Sequence, residues 1–178
     1  METNAARQVR ALFARSVLKQ QKWRAIDRML GPTAGLRCLD IGAQGLIIPW
    51  VNTREEAEAA VRACKYPPLG ERGIGMGRAH NYGAGFKEYL NVANKEIVLI
   101  LQIEHIDAVR NINEIVKTPG IDGVFIGPYD LSGSMGLLGK LDHPEIKKAL
   151  KATFLAAEKA GLVAGMHVVS PSIEQVRK

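Results

Sequence analysis

The chain has 178 residues, 47% of them hydrophobic, enough for one domain with a sizeable core. Its apolar runs fall far short of the roughly 20 residues that cross a bilayer, and no secretory signal is visible, so a cytoplasmic protein with no membrane partner is expected. The net charge of +6 is confined to the start: residues 1–37 carry eight Lys or Arg and two acids, while the remainder carries 16 of each, which argues against a nucleic-acid partner for the folded part.

From the N-terminus, Val9, Leu12, Phe13, Val17 and Leu18 recur at roughly helical spacing among Arg7, Arg10, Arg15, Lys19 and Lys22, predicting a basic helical segment over 1–36. A first strand is predicted over 46–51. Thr53 and Glu56 then form a capping box, and Ala57, Ala60, Val61 and Cys64 make the inward face of a helix that Tyr66-Pro67-Pro68 ends. Cys64 reads as a reduced core thiol, and with Cys38 it makes no metal spacing. Residues 70–85 form a glycine-rich loop that follows no strand, so neither a dinucleotide fingerprint nor a P-loop is supported. Arg72 and Arg78 in this loop are candidates to meet an anionic substrate, and His80 is expected to be mobile there. A short helix over 86–94 leads into the second strand.

Two apolar runs dominate the centre, Ile97 to Glu104 and Gly123 to Asp130, and each ends in a carboxylate. Both have the near-continuous Val, Ile and Leu content of parallel strands covered on two faces, and an amphipathic helix over 107–117 separates them. Ligands bind at the C-terminal strand ends in such units, so Glu104 and Asp130 are expected side by side at a rim, with Gln102 on the same face as Glu104. Two carboxylates suit Mg²⁺, which often takes only one or two oxygens from protein. Residues 131–136 read as a flexible rim loop. Asp142 is the predicted N-cap of a helix ending at Gly161, with Ile146, Leu150, Phe154 and Ala157 inward. A fourth strand over 163–169 and the opening of a helix over 172–178 complete the pattern. Strands at 46–51, 97–104, 123–128 and 163–169 alternating with helices predict a parallel α/β architecture.

Three motifs carry a resemblance: Gln102-Ile103-Glu104, Asp122 to Ser132 (DGVFIGPYDLS), and Lys65 to Gly73 (KYPPLGERG). Their order and spacing resemble the HpcH/HpaI aldolases over about 37–178, leaving 1–36 as a segment without a match. The resemblance implies a (β/α)8 TIM barrel, here incomplete, with the fourth to seventh strands present. It implies a carbon–carbon lyase that cleaves a 4-hydroxy-2-oxo acid into pyruvate and an aldehyde with Mg²⁺ or Mn²⁺, and homo-oligomers in the family. Glu104 and Asp130 match the metal ligands, and Gln102 matches a polar residue near the bound oxo acid. The amides of Tyr129 and Asp130 match those that take the substrate carboxylate. Asp40 matches an aspartate that orients a catalytic histidine, but that histidine and an oxyanion-binding arginine have no counterpart here. Two other functions compete: an acyl-CoA ester lyase on the related barrel, and a non-catalytic fragment that binds oxo acids or pairs with a complete barrel. An open-edged partial barrel is expected to associate in solution.

Overall fold

The computed structural model describes residues 37–168, so the expected basic helix over 1–36 and the elements after residue 168 lie outside the described residues. Four strands form one parallel sheet in sequential order: β1 (Gly45–Ile48), β2 (Val98–Ile103), β3 (Gly123–Ile126) and β4 (Val163–Met166). The register aligns Ile48 with Leu101, Ile103 with Ile126, and Ile126 with Met166, so the C-terminal ends of β2, β3 and β4 lie level. Between the strands run α1 (Arg54–Cys64), α2 (Phe86–Glu96), α3 (Ile106–Arg110), α4 (Ile112–Ile115), α5 (Pro128–Ser134) and α6 (Pro144–Lys159). No helix among the described residues is long and apolar enough to cross a membrane.

Alternation along the strands divides the apolar residues between two faces. Leu46, Leu99, Leu101, Ile103 and Val124 meet Ala57, Val61, Cys64, Ile112, Ile115 and Ala157 of the helices in the larger core. Val98 and Ile100 face the other way and pack with Ile47, Phe125 and Val163. This two-sided burial is why the strands read as continuous apolar runs rather than as an alternating pattern.

Several local expectations change. The helix expected over 107–117 breaks at Asn111, which has φ −95° and ψ 4° and whose side-chain amide donates to Asn52 O at 2.9 Å. The loop after β1 thereby takes a side chain that an unbroken helix would have left in solvent. His143, not Asp142, caps α6, its Nδ1 accepting from the Glu145 amide at 3.3 Å, while Asp142 pairs with Lys147. The inward face of α6 is Ile146, Ala149, Thr153, Ala156 and Ala157, and Phe154 is exposed. Small side chains let the helix sit close to the sheet, where a phenylalanine would hold it off. The expected rim loop after Asp130 is helix α5, started by Pro128, whose fixed φ suits a first helical turn.

Candidate functional site

β2 ends at Ile103 and carries the chain into Glu104, whose side chain belongs to the face of Ile100 and Gln102 rather than to the helix-covered core. Glu104 is only 6% exposed. A buried carboxylate needs charge-assisted partners, and two are in place. The Trp50 amide donates to Oε1 at 2.9 Å, and the Gln102 side-chain amide donates to Oε2. The Trp50 bond is made possible by an uncommon backbone: Trp50 has φ +60°, left-handed for a large L-residue, at the point where the chain leaves β1. Strain of this kind clusters at ligand sites, where the surroundings over-determine the conformation. Here it aims a peptide N–H across the sheet edge at a carboxylate.

The neighbouring strand leaves room for this group. Gly127 follows β3, and its amide bonds to Ile103 O at 3.1 Å, which fixes it beside Glu104. A Cβ on Gly127 would stand 3.0 Å from Glu104 Cβ and 3.1 Å from both Glu104 Oε2 and Gln102 Nε2. Only glycine keeps that cradle open. One turn on, Tyr129 and Asp130 occupy the exposed first turn of α5. Leu131 is the first residue to bond back, to Gly127 O at 2.9 Å, so the amides of Tyr129 and Asp130 have no partner within the helix.

Among the described residues no three His, Cys, Asp or Glu side chains come together. Glu104 and Asp130 are the two carboxylates that could hold a hard divalent cation here, and Mg²⁺ often takes only one or two oxygens from protein. Glu104 brings a pre-oriented carboxylate against an open cradle, and Asp130 brings an exposed one at the end of the adjacent strand.

The remaining candidates lie elsewhere. Asp40 precedes β1, and Arg72 follows Lys65, whose ammonium bonds to Ile97 O just before β2, so the pair lies on the entry side of the sheet and Arg72 is not in place to meet a substrate at the rim. Arg72 Nη2 donates to Asp40 Oδ1 at 2.7 Å, and its Nη1 donates to Tyr89 Oη at 3.1 Å. Its guanidinium lies 4.5 Å from the Tyr66 ring centre, with a fully buried side chain. Burial opposes the charge on Arg72, but the bonds to Asp40 and Tyr89 outweigh it and the pKa moves up. The Lys65-to-Gly73 motif is a structural knot around this ion pair. Lys65 Nζ donates to Ile97 O at 2.7 Å and Asn94 O at 3.0 Å, and Gly70 passes so close to Lys65 O that a Cβ would stand 2.3 Å away. Arg78, the other arginine of the loop, is exposed.

His80 is not mobile. It is buried, its Nδ1 accepts from Gly83 N at 3.0 Å, and its Nε2 lies 2.7 Å from Gly75 O and 3.2 Å from Gly77 N. His105 caps α3 by accepting from the Asp107 amide, with its ring 5.2 Å from Trp50. Trp50 and Gly127 were not legible as site residues beforehand. The signal available was the Pro49-Trp50 strand exit and the glycine inside Asp122–Ser132.

Comparison with known proteins identifies the family. Residues 27–178 match the family described as HpcH/HpaI aldolase/citrate lyase, a match that starts at Asp27 rather than at Arg37. The chain is 43% identical over 139 residues to a protein named 2-keto-3-deoxy-L-rhamnonate aldolase from Salmonella schwarzengrund (strain CVM19633), covering 77% of this chain and 52% of that protein. It spans about half the length of the curated relatives it matches. Among solved structures, an HpcH/HpaI aldolase from Desulfitobacterium hafniense DCB-2 superposes with a TM-score of 0.75 at 35% identity, over 83% of this chain and 57% of that one. An HpcH/HpaI aldolase/citrate lyase family protein from Burkholderia cenocepacia J2315 gives 0.73 at 36% identity, over 76% and 54%. The shared fold is of the TIM-barrel type, of which the described residues form four successive strands. By sequence match and by fold, the chain belongs to the HpcH/HpaI aldolase/citrate lyase family.

Proposed function

We propose that this chain carries the metal-binding part of an aldolase site that cleaves a 4-hydroxy-2-oxo acid into pyruvate and an aldehyde. The observation that carries the reading is the buried Glu104 carboxylate, held by the Trp50 and Gln102 N–H groups against the open backbone of Gly127. Glu104 and Asp130 would hold Mg²⁺ or Mn²⁺, which supplies Lewis-acid stabilisation of the negative charge that develops on the 2-oxo oxygen as the carbon–carbon bond breaks. The other groups are the chain's own. Gln102 fixes the rotamer of Glu104 and lies beside the oxo acid. The amides of Tyr129 and Asp130, at the positive end of α5, receive the substrate carboxylate. The relatives' name, 2-keto-3-deoxy-L-rhamnonate aldolase, supports a 3-deoxy-2-oxo sugar acid, which is a member of the 4-hydroxy-2-oxo acid class.

The test is calorimetry with Mn²⁺ on the chain and on Glu104→Gln and Asp130→Asn. Each substitution should weaken binding by at least about tenfold, because each removes one of two anionic ligands. Unchanged affinity in both variants would overturn the assignment.

A further inference from the structure

We propose that His167 is the proton acceptor for the C4 hydroxyl in this rim site, an inference that rests on the aldolase reading above. His167 follows β4, and its amide bonds to Ile126 O at 3.1 Å, continuing the parallel ladder by one residue. Since Ile103 pairs with Ile126 and Ile126 with Met166, the next row across the sheet is Glu104, Gly127, His167. The faces agree as well. Val163 packs with Val98, Ile100 and Phe125, Gly165 lies against the Phe125 ring, and two residues on His167 takes the same side by alternation. That is the side of Gln102 and Glu104.

Adjacent strands lie about 4.8 Å apart, so two spacings separate the backbones of Glu104 and His167 by about 9–10 Å. The strand between them contributes only Gly127, which has no side chain to fill the gap. A substrate held between Glu104 and the first turn of α5 would lie over Gly127, beside the strand that carries His167. Each of the other three histidines has a structural job: His80 pins the loop through both ring nitrogens, and His105 and His143 cap helices. His167 is exposed, and no hydrogen bond to another described residue engages its ring.

In the cleavage direction a ring nitrogen of His167 takes the C4 hydroxyl proton as the C4–O bond becomes a carbonyl. The C3–C4 pair moves into a C2–C3 double bond, and the 2-oxo oxygen carries the charge as an enolate. C3 then takes the proton back from the imidazolium, giving pyruvate and the aldehyde with the imidazole restored.

The test is histidine-ring NMR on the full chain, with His167→Gln assigning the signal and Mn²⁺ as the paramagnetic probe. The His167 signal should broaden together with that of His105, which adjoins Glu104, and both should stay sharp in Glu104→Gln. Broadening of His105 with a sharp His167 overturns the inference and leaves the metal reading standing. Sharp signals from both overturn the metal reading and this inference with it. Pyruvate release supplies a second readout. His167→Gln should slow cleavage by about 10²–10⁴-fold, as loss of a general base does. That loss should exceed the loss of oxaloacetate decarboxylation at least tenfold, because losing CO₂ leaves the same enolate without deprotonating a hydroxyl. Equal losses in both reactions would assign His167 a structural role only and overturn the proposal.

Discussion

At the scale of single residues, the site depends on one side chain that is absent. Gly127 has φ −96°, a conformation open to any residue, so its requirement comes from contact and not from backbone strain. Gly127→Ala would press a methyl against Glu104 and Gln102, a form of overpacking that costs about 1–3 kcal/mol. The expected outcome is a lower thermal midpoint together with weaker Mn²⁺ binding, measured by melting and calorimetry on one preparation; a variant that matches the parent in both would show the cradle to be unimportant. Cys64 bears on a different expectation. Burial pushes its thiol up to about 11, so at pH 8 only about one part in a thousand is thiolate, the form that reacts. Iodoacetamide at pH 8 should modify Cys38, which is half-buried, well before Cys64, and denaturant should equalise them; mass spectrometry reads the order. The core role of Cys64 was legible in the sequence because i, i+3, i+4, i+7 spacing reports which way a helical side chain points. Trp50 was not, since a left-handed φ at a non-glycine residue is imposed by the tertiary contact it serves and leaves no mark on local propensity.

Among the elements, each strand starts within one residue of where its apolar run placed it, but β1, β3 and β4 end two or three residues earlier than expected, because the apolar pattern runs on past the last ladder pair. Helix details fared less well. Asn111 breaks the helix after β2 through a bond to Asn52, 59 residues away in sequence, a distance at which no periodicity can speak. Phe154 was expected inward because it shares a stripe with Ile146 and Leu150, yet alanines decide how closely α6 can approach the sheet. Where α2 gives way to β2, Lys65 does what no pattern announces: its buried ammonium closes the carbonyls of Asn94 and Ile97. Burial lowers its pKa, with Asp122 acting the other way, and burial raises that of Asp122. With Lys65 lowered in the fold, the unfolded chain binds more protons between that lowered value and about 10.4, so this group's contribution to stability rises with pH through that window. Lys65→Met should remove the rise, and it should destabilise by about 2–4 kcal/mol because it leaves two buried carbonyls and the Asp122 carboxylate without their cation. Denaturant melts from pH 7 to 10.5 would check both effects, and an unchanged alkaline slope would contradict the assignment.

Across the described residues, the candidate-site groups and the Arg72 and Lys65 groups lie at opposite ends of one parallel sheet. Asp40–Arg72 and the Lys65 cap lie where the chain enters the strands, and Trp50, Gln102, Glu104, Gly127 and Asp130 lie where it leaves them. In barrels of this class the entry face serves stability and the exit face serves chemistry. The sequence motifs span both ends without distinguishing them, and the structure pairs Arg72 with Asp40 at the entry end. The division predicts opposite phenotypes. Arg72→Met removes a fully buried guanidinium and leaves Asp40, itself partly solvated, without its cation; breaking a buried pair costs 3–5 kcal/mol, and the exposure of Asp40 reduces this to about 2–3 kcal/mol. For a chain of this size that corresponds to a fall of about 5–10 °C in thermal midpoint, and Mn²⁺ affinity measured below the transition should stay within about twofold. Glu104→Gln should do the reverse. The side-chain oxygen still accepts from Trp50, and Gln102 can turn its amide over to accept from the new NH2, so the midpoint should move by no more than about 2 °C, while Mn²⁺ affinity falls at least tenfold. Melting curves and calorimetry on the two variants decide the matter. If Arg72→Met weakens Mn²⁺ as much as Glu104→Gln does, the entry-side pair acts on the site after all, and the division of the sheet into a stabilising end and a chemical end is wrong.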